Sequence, residues 1–448
     1  MIFRAALASL LVLLAPTGLT GPAARTARPE TGVDRSHPYA FLQEDTVLVL
    51  GNAAVERRFR WNGGNLMTLS LEDRSSGTLF RTVRPQPDFV FTRNASAPGA
   101  GGTLTVATVP ATAIAPAYLR ARVEYALDGV EIRREYRIYG DVPAIACQTW
   151  LRLSEVSGAA PATVLEASAE SANAADRKNI EAQADMAVKS SEAILDRMNL
   201  PGVHWHARAV EFSDVTDWND NLVWERDVIA YRKNSYRGNL LFVRNGVDGR
   251  GFFFLKEAPC SAVQLAYGRG DFTADFGAFA VTGVGVAPGD LSHEWVRAYG
   301  VVTGVYGEGE LAALTALRRY QKQIRAPRDG RDEMVMMNTW GDRSQDTKVN
   351  ERFCLAEVRK AAHLGITHFQ IDDGWEPAVG DWLTTDAKKF PKGLRGTADK
   401  IHENGFRAGL WLSPFVCQKD SEIFRRHKDW LLRVDGKPWY CGMNWGGF

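Results

Sequence analysis

Gly365-Ile-Thr-His-Phe-Gln-Ile371, continued by Asp372-Asp373-Gly374-Trp375, decides the fold of the C-terminal part of the chain. The first run is apolar and partly β-branched, which predicts a buried strand. The second places two carboxylates, a glycine and an indole ring at the end of that strand. In parallel α/β barrels the loops leaving the C-terminal strand ends carry the chemistry. An Asp pair accepts several hydroxyl protons, and a Trp face matches the flat side of a pyranose ring, so this corner points to carbohydrate.

Around it the rhythm is strand, helix, strand. Met334 to Asn338 reads as a strand ending in Thr339-Trp340-Gly341-Asp342, and Asn350 to Leu364 as an amphipathic helix. Gly393 to Asn404 reads as a helix closed by Gly405, a C-cap signal. Phe406 to Leu412 is the third strand, ending in Ser413-Pro414, and Asp420 to Leu431 a third helix. Strand starts 32 and 40 residues apart fit βα units of a parallel barrel. Only 118 residues follow Gly330, whereas a complete barrel takes about 250. The expectation is three units and the approach to a fourth, in a truncated record that stops at Trp445-Gly-Gly-Phe448.

Before Gly330 the pattern differs. From 41 to 305, short alternating runs are broken by turn residues. Val123-Glu-Tyr-Ala-Leu127 and Val130-Glu-Ile-Arg-Arg-Glu-Tyr-Arg-Ile138 flank Asp128-Gly129, a hairpin signal. Such spacing predicts a large antiparallel sandwich, interrupted by a helix-prone island from Ala174 to Met198. Glu308 to Ile324 has helical spacing with acids first and bases last, and 306–330 reads as a helical linker. The fold class is thus an antiparallel β-supersandwich followed by an incomplete (β/α)8 barrel over 331–448.

The net charge of +1 argues against nucleic acid. Met1 to Ala24 reads as an export signal, with Arg4 before a short apolar run, or as an uncleaved anchor; a flexible leader fills 25–40. Localisation would then be periplasmic or extracellular, with no membrane after cleavage. The 13 Trp and 12 Tyr suit either sugar stacking or large sheet cores. The five cysteines form no CxxC, though Cys417 and Cys441 could pair.

The candidate site residues are Asp372, Asp373, Trp340, Trp375 and Trp411, delivered by three strand ends to one rim, with Asp342-Arg343 and Ser413 beside them. Asp373 also suits a helix N-cap, and Trp411 a plain core position. His204-Trp-His206 puts two imidazoles on one strand face, but without a third ligand ordinary histidines fit as well as a metal pair. The polar loop Asp214 to Asn221 reads as a turn cluster or a lid over the barrel mouth. Gly99 to Gly102 is followed by Thr-Leu-Thr-Val and reads as a turn, not a phosphate loop.

Met336-Met-Asn-Thr-Trp340, Phe369-Gln-Ile-Asp-Asp-Gly-Trp375 and Gly409-Leu-Trp-Leu-Ser-Pro414 resemble the first three strands of melibiase-type α-galactosidases, clan D glycoside hydrolases closest to family 36. The resemblance implies a retaining hydrolase of terminal α-linked galactose, without metal or organic cofactor, often assembled through its sandwich. It implies Asp372 and Asp373 as ligands of the 4- and 6-hydroxyls, and Trp340 as a pocket wall. The family has Glu-Pro where this chain has Ser413-Pro414, so subfamily and aglycone preference stay open. The family's nucleophile ends the fourth strand and its acid/base follows the sixth; neither position occurs before Phe448, so residues 1–448 are expected not to turn over substrate. Galactosyl transfer and non-catalytic carbohydrate binding remain alternatives, as do N-acetylgalactosamine and glucose as the sugar.

Overall fold

A computed structural model of the chain describes residues 32–91, 100–154, 193–212, 223–228, 232–261, 264, 270–286, 288–340 and 345–440. Expectations for the export signal, Asp214 to Asn221, Asp342-Arg343 and Cys441 lie outside them. The chain divides after Ala326 into two compact units.

The first unit is antiparallel β. Its largest sheet runs, edge to edge, Val223–Val228, Trp205–Phe212, Leu240–Asn245, Gly251–Glu257, Val296–Tyr306, Ala144–Leu153, Val130–Ile138, Tyr118–Leu127, Ala100–Val109. Asp128 and Gly129 both take positive φ, as a two-residue hairpin between right-twisted strands requires. A five-stranded meander covers Tyr39–Gln43 to Thr78–Arg81, and a four-stranded sheet includes Ile194–Asn199. One core fills the space between sheets, with Phe59, Tyr136, Phe252 and Phe272 buried in it. The other face of the large sheet is covered by the helix Glu310–Gln323, whose Ala313, Ala316, Leu317 and Tyr320 pack on Val302, Tyr306 and Phe253.

Two expectations are corrected here. Ile194 to Met198, the end of the helix-prone island, is strand, because it pairs with Ala278–Thr282 and the partner strand outweighs local preference. Ala100 to Gly102 belongs to a strand rather than a turn, with a register shift between Ala100 and Thr103. Gly102 N–H donates to Gly63 O at 2.7 Å, and a Cβ there would lie 2.3 Å from that oxygen.

The second unit holds three parallel strands, Met336–Asn338, His368–Ile371 and Arg407–Leu410, in that spatial order. The helix Glu351–Ala361 joins the first two and Gly393–Glu403 the second pair. Asn350 caps the former, its Oδ1 accepting from Phe353 N–H at 2.9 Å. Gly405 takes φ 85° at the close of the latter. Val358, Phe369, Ile371, Phe390 and Ile401 form the core between strands and helices. The helix expected over Asp420 to Leu431 spans only Glu422–Arg426. His427 leaves helical geometry and its ring stacks on Trp430 at 3.9 Å, while Trp430 and Leu432 stay exposed and offer no buried face to extend it.

Candidate functional site

The three parallel strands end together because their backbones are in register, Asn338 beside Gln370 and Ile371 beside Leu410. Polar residues at those ends then lock to one another. Asn338 is the hub. Its Nδ2 donates to Asp372 Oδ2 at 2.6 Å and to Gln370 Oε1 at 2.9 Å, and its Oδ1 accepts from Trp340 N–H at 2.6 Å. Thr339 Oγ1 accepts from Asp372 N–H at 2.9 Å, and Asp372 Oδ1 accepts from Asp373 N–H at 2.9 Å. Both oxygens of Asp372 are therefore oriented, one by a donor on the first strand and one by the loop after the second, before any ligand arrives.

Asp372 and Asp373 are buried at 6% and 5% exposure. Trp340 and Trp411 are half-buried. Trp375 corrects the expectation of an open ring face. It is 2% exposed, sits in the core of the unit and donates Nε1–H to Trp411 O at 2.9 Å. Its role is to fix the third strand end against the second. A residue the sequence reading passed over, Trp382, is half-buried between Trp375 and Trp411, 5.9 Å from each ring.

Glu376 was also passed over. It is 6% exposed and hydrogen-bonded through its side chain to Asp373. Burial and then that bond push its carboxyl up to about 7. Lys389 Nζ donates to Gly374 O at 2.7 Å, pinning the loop that carries all three acids. The signal was present in the sequence, as a third acid three residues after Asp373.

Of the other candidates, Ser413 is half-buried next to the third strand end. His204 precedes the strand Trp205–Phe212 and its ring stacks on Trp205 at 5.0 Å. Among the described residues, no group of three or more His, Cys, Asp or Glu could hold a metal ion. Cys147 and Cys354 are buried. No helix among the described residues is long and apolar enough to cross a membrane.

Asn338→Ala removes three hydrogen bonds, one of them to a carboxylate. The expected cost is about 2 kcal/mol in the stability of the second unit, read from urea denaturation.

Comparison with known proteins places this arrangement. Residues 300–444 match the Melibiase family model. The chain is 27% identical over 275 residues to α-galactosidase AgaA of Geobacillus stearothermophilus, covering 58% of this chain and 36% of that protein. It is 35% identical over 109 residues to the α-galactosidase of Escherichia coli, covering 23% and 15%. These alignments thus span well under half the length of either relative. Among solved structures, GH36 α-galactosidase AgaA in complex with stachyose superposes with a TM-score of 0.60 at 16% identity, over 90% of this chain and 61% of that one. AgaB from the same organism gives 0.59 over 91% and 61%. These likenesses establish the fold: an antiparallel β-supersandwich followed by the opening units of a (β/α)8 barrel. The matched segment carries the locked strand ends described above.

Proposed function

We propose that the chain is part of a glycoside hydrolase that releases terminal α-linked galactose, and that the matched segment supplies the galactose-holding wall of its pocket. One observation carries this reading: Asp372 and Asp373 stand side by side at the end of the second parallel strand, with Asp372 oriented through Asn338 and Thr339. In galactose the axial 4-hydroxyl and the 6-hydroxyl project to the same side of the ring, so two adjacent carboxylates can take both. Trp340 and Trp411 supply aromatic surface beside them.

The relatives support the substrate class, being α-galactosidases, with AgaA solved in complexes with raffinose and stachyose. Retention would need a nucleophile and an acid/base about 5–5.5 Å apart across the anomeric carbon. Asp372 and Asp373 are hydroxyl ligands in this reading and neither is assigned to that pair. An exported location and assembly into a homo-oligomer through the sandwich belong to the same proposal.

The test is calorimetric titration of the 448-residue chain with methyl α-galactoside and methyl α-glucoside, which differ only in the configuration at C4. The galactoside is expected to bind at least about tenfold tighter, the worth of one well-placed charged hydrogen bond. Equal affinities would contradict the galactose assignment.

A further inference from the structure

Asp372, Asp373 and Glu376 place three acids within five residues, and the galactose reading uses only two of them. Glu376 and Asp373 are both buried and their side chains share a hydrogen bond. Ionised carboxylates are acceptors only, so such a bond needs a proton on one partner. Glu376 is the partner that keeps it: burial and the bond to Asp373 raise its carboxyl to about 7. Gly374 N–H donates to Glu376 Oε2 at 3.3 Å, which fixes the head of the side chain from a second direction.

Charged groups among the described residues flank Glu376. Asp372 and Asp373 precede it on the same loop. Lys389 reaches that loop at the Gly374 carbonyl, and Asp386 binds it through its own backbone N–H to Trp375 O at 2.9 Å.

We infer that Glu376, as a neutral carboxylic acid, is the positioning residue that donates to Asp373 and holds that carboxylate in the orientation that receives a sugar hydroxyl. A carboxylate offers about four acceptor sites, so one bond from Glu376 fixes its plane without exhausting it. When Glu376 ionises, the donor is lost and two like charges face each other in a buried site, so Asp373 turns away. Sugar affinity therefore falls as pH rises through neutrality. The inference rests on the reading of Asp372 and Asp373 as sugar ligands.

A consequence without sugar follows by linkage. Because folding raises the Glu376 pKa, its stabilising contribution is complete below the ordinary carboxyl value and is lost as pH rises through about 7.

The test compares wild type, E376Q, E376A and D373N in the 448-residue chain. Methyl α-galactoside affinity is measured between about pH 6 and about pH 8. Wild type is expected to weaken about five- to tenfold over that range. E376Q, whose amide donates at either pH, keeps the low-pH affinity throughout, and E376A binds weakly at both. A wild-type pH slope in E376Q, or wild-type affinity in E376A, overturns the inference. If D373N loses binding while E376A does not, only the Glu376 role fails; if D373N binds as wild type, the sugar-ligand reading fails as well. Infrared difference spectra without sugar give a further readout. Burial also raises the Asp88 carboxyl, to about 6, so the readout is the difference between wild type and E376Q. A protonated carboxyl band at the lower pH, lost at the higher, is expected in wild type beyond what E376Q retains; no such difference overturns the inference whether or not sugar binds.

Discussion

Arg57→Ala is expected to lower the stability of the sandwich unit by about 3–5 kcal/mol, the cost of leaving a buried charge without its partner. The guanidinium is fully enclosed and forks onto Asp196, with Nη1 to Oδ2 at 2.7 Å and Nη2 to Oδ1 at 2.6 Å. It also donates to Thr68 Oγ1 and Thr303 Oγ1. These partners sit on Met67–Asp73, Ile194–Asn199 and Val296–Tyr306, so one side chain joins all three sheets. Burial pushes the Asp196 carboxyl up, and the charge and hydrogen bonds of Arg57 more than reverse this, leaving it below the ordinary range. That contribution is present above the unfolded carboxyl pKa and lost as pH falls. Urea denaturation monitors the loss. The double variant R57M/D196L removes this ion pair but leaves Asp88, the other carboxylate that Arg57 reaches at 3.3 Å, and is expected to recover part of the loss. A loss under about 1 kcal/mol for Arg57→Ala would show that the network adds little beyond apolar packing.

Asp372→Asn is expected to weaken methyl α-galactoside binding roughly 100-fold while the chain stays folded. The substitution keeps shape and one acceptor, so Asn338 retains an oxygen to bond. It removes the charge and replaces Oδ1, which accepts from Asp373 N–H, by a donor, so an internal hydrogen bond is lost together with a sugar-facing acceptor. A thermal melt separates the two effects. Lost binding with a melt that stays cooperative and is only slightly lowered supports the role; unchanged binding removes Asp372 from the pocket.

The second barrel strand was legible because Gly365 to Ile371 is an apolar, partly β-branched run ended by a polar cluster, and His368–Ile371 is the strand it forms. The Gly405 helix end was equally readable, since local chemistry alone sets it. What failed depended on partners distant in sequence. Ile194 to Met198 is helix-prone by composition and becomes strand only against Ala278–Thr282. Trp375 looks like an open sugar platform from sequence, yet the Trp382 ring and the Trp411 carbonyl cover it. Glu376 escaped notice because an acid beside a loop reads as solvated, and only its burial against Asp373 shows otherwise. Asn338 was quoted within a motif but not read as its hub, since the Asp372 it holds lies 34 residues away.

The most direct measurement is a crystal structure of the 448-residue chain with methyl α-galactoside. The sugar is expected at the ends of the three parallel strands, its 4- and 6-hydroxyls within hydrogen-bond distance of Asp372 and Asp373. Bound sugar elsewhere on the molecule, with those two carboxylates making no contact to it, would contradict the account.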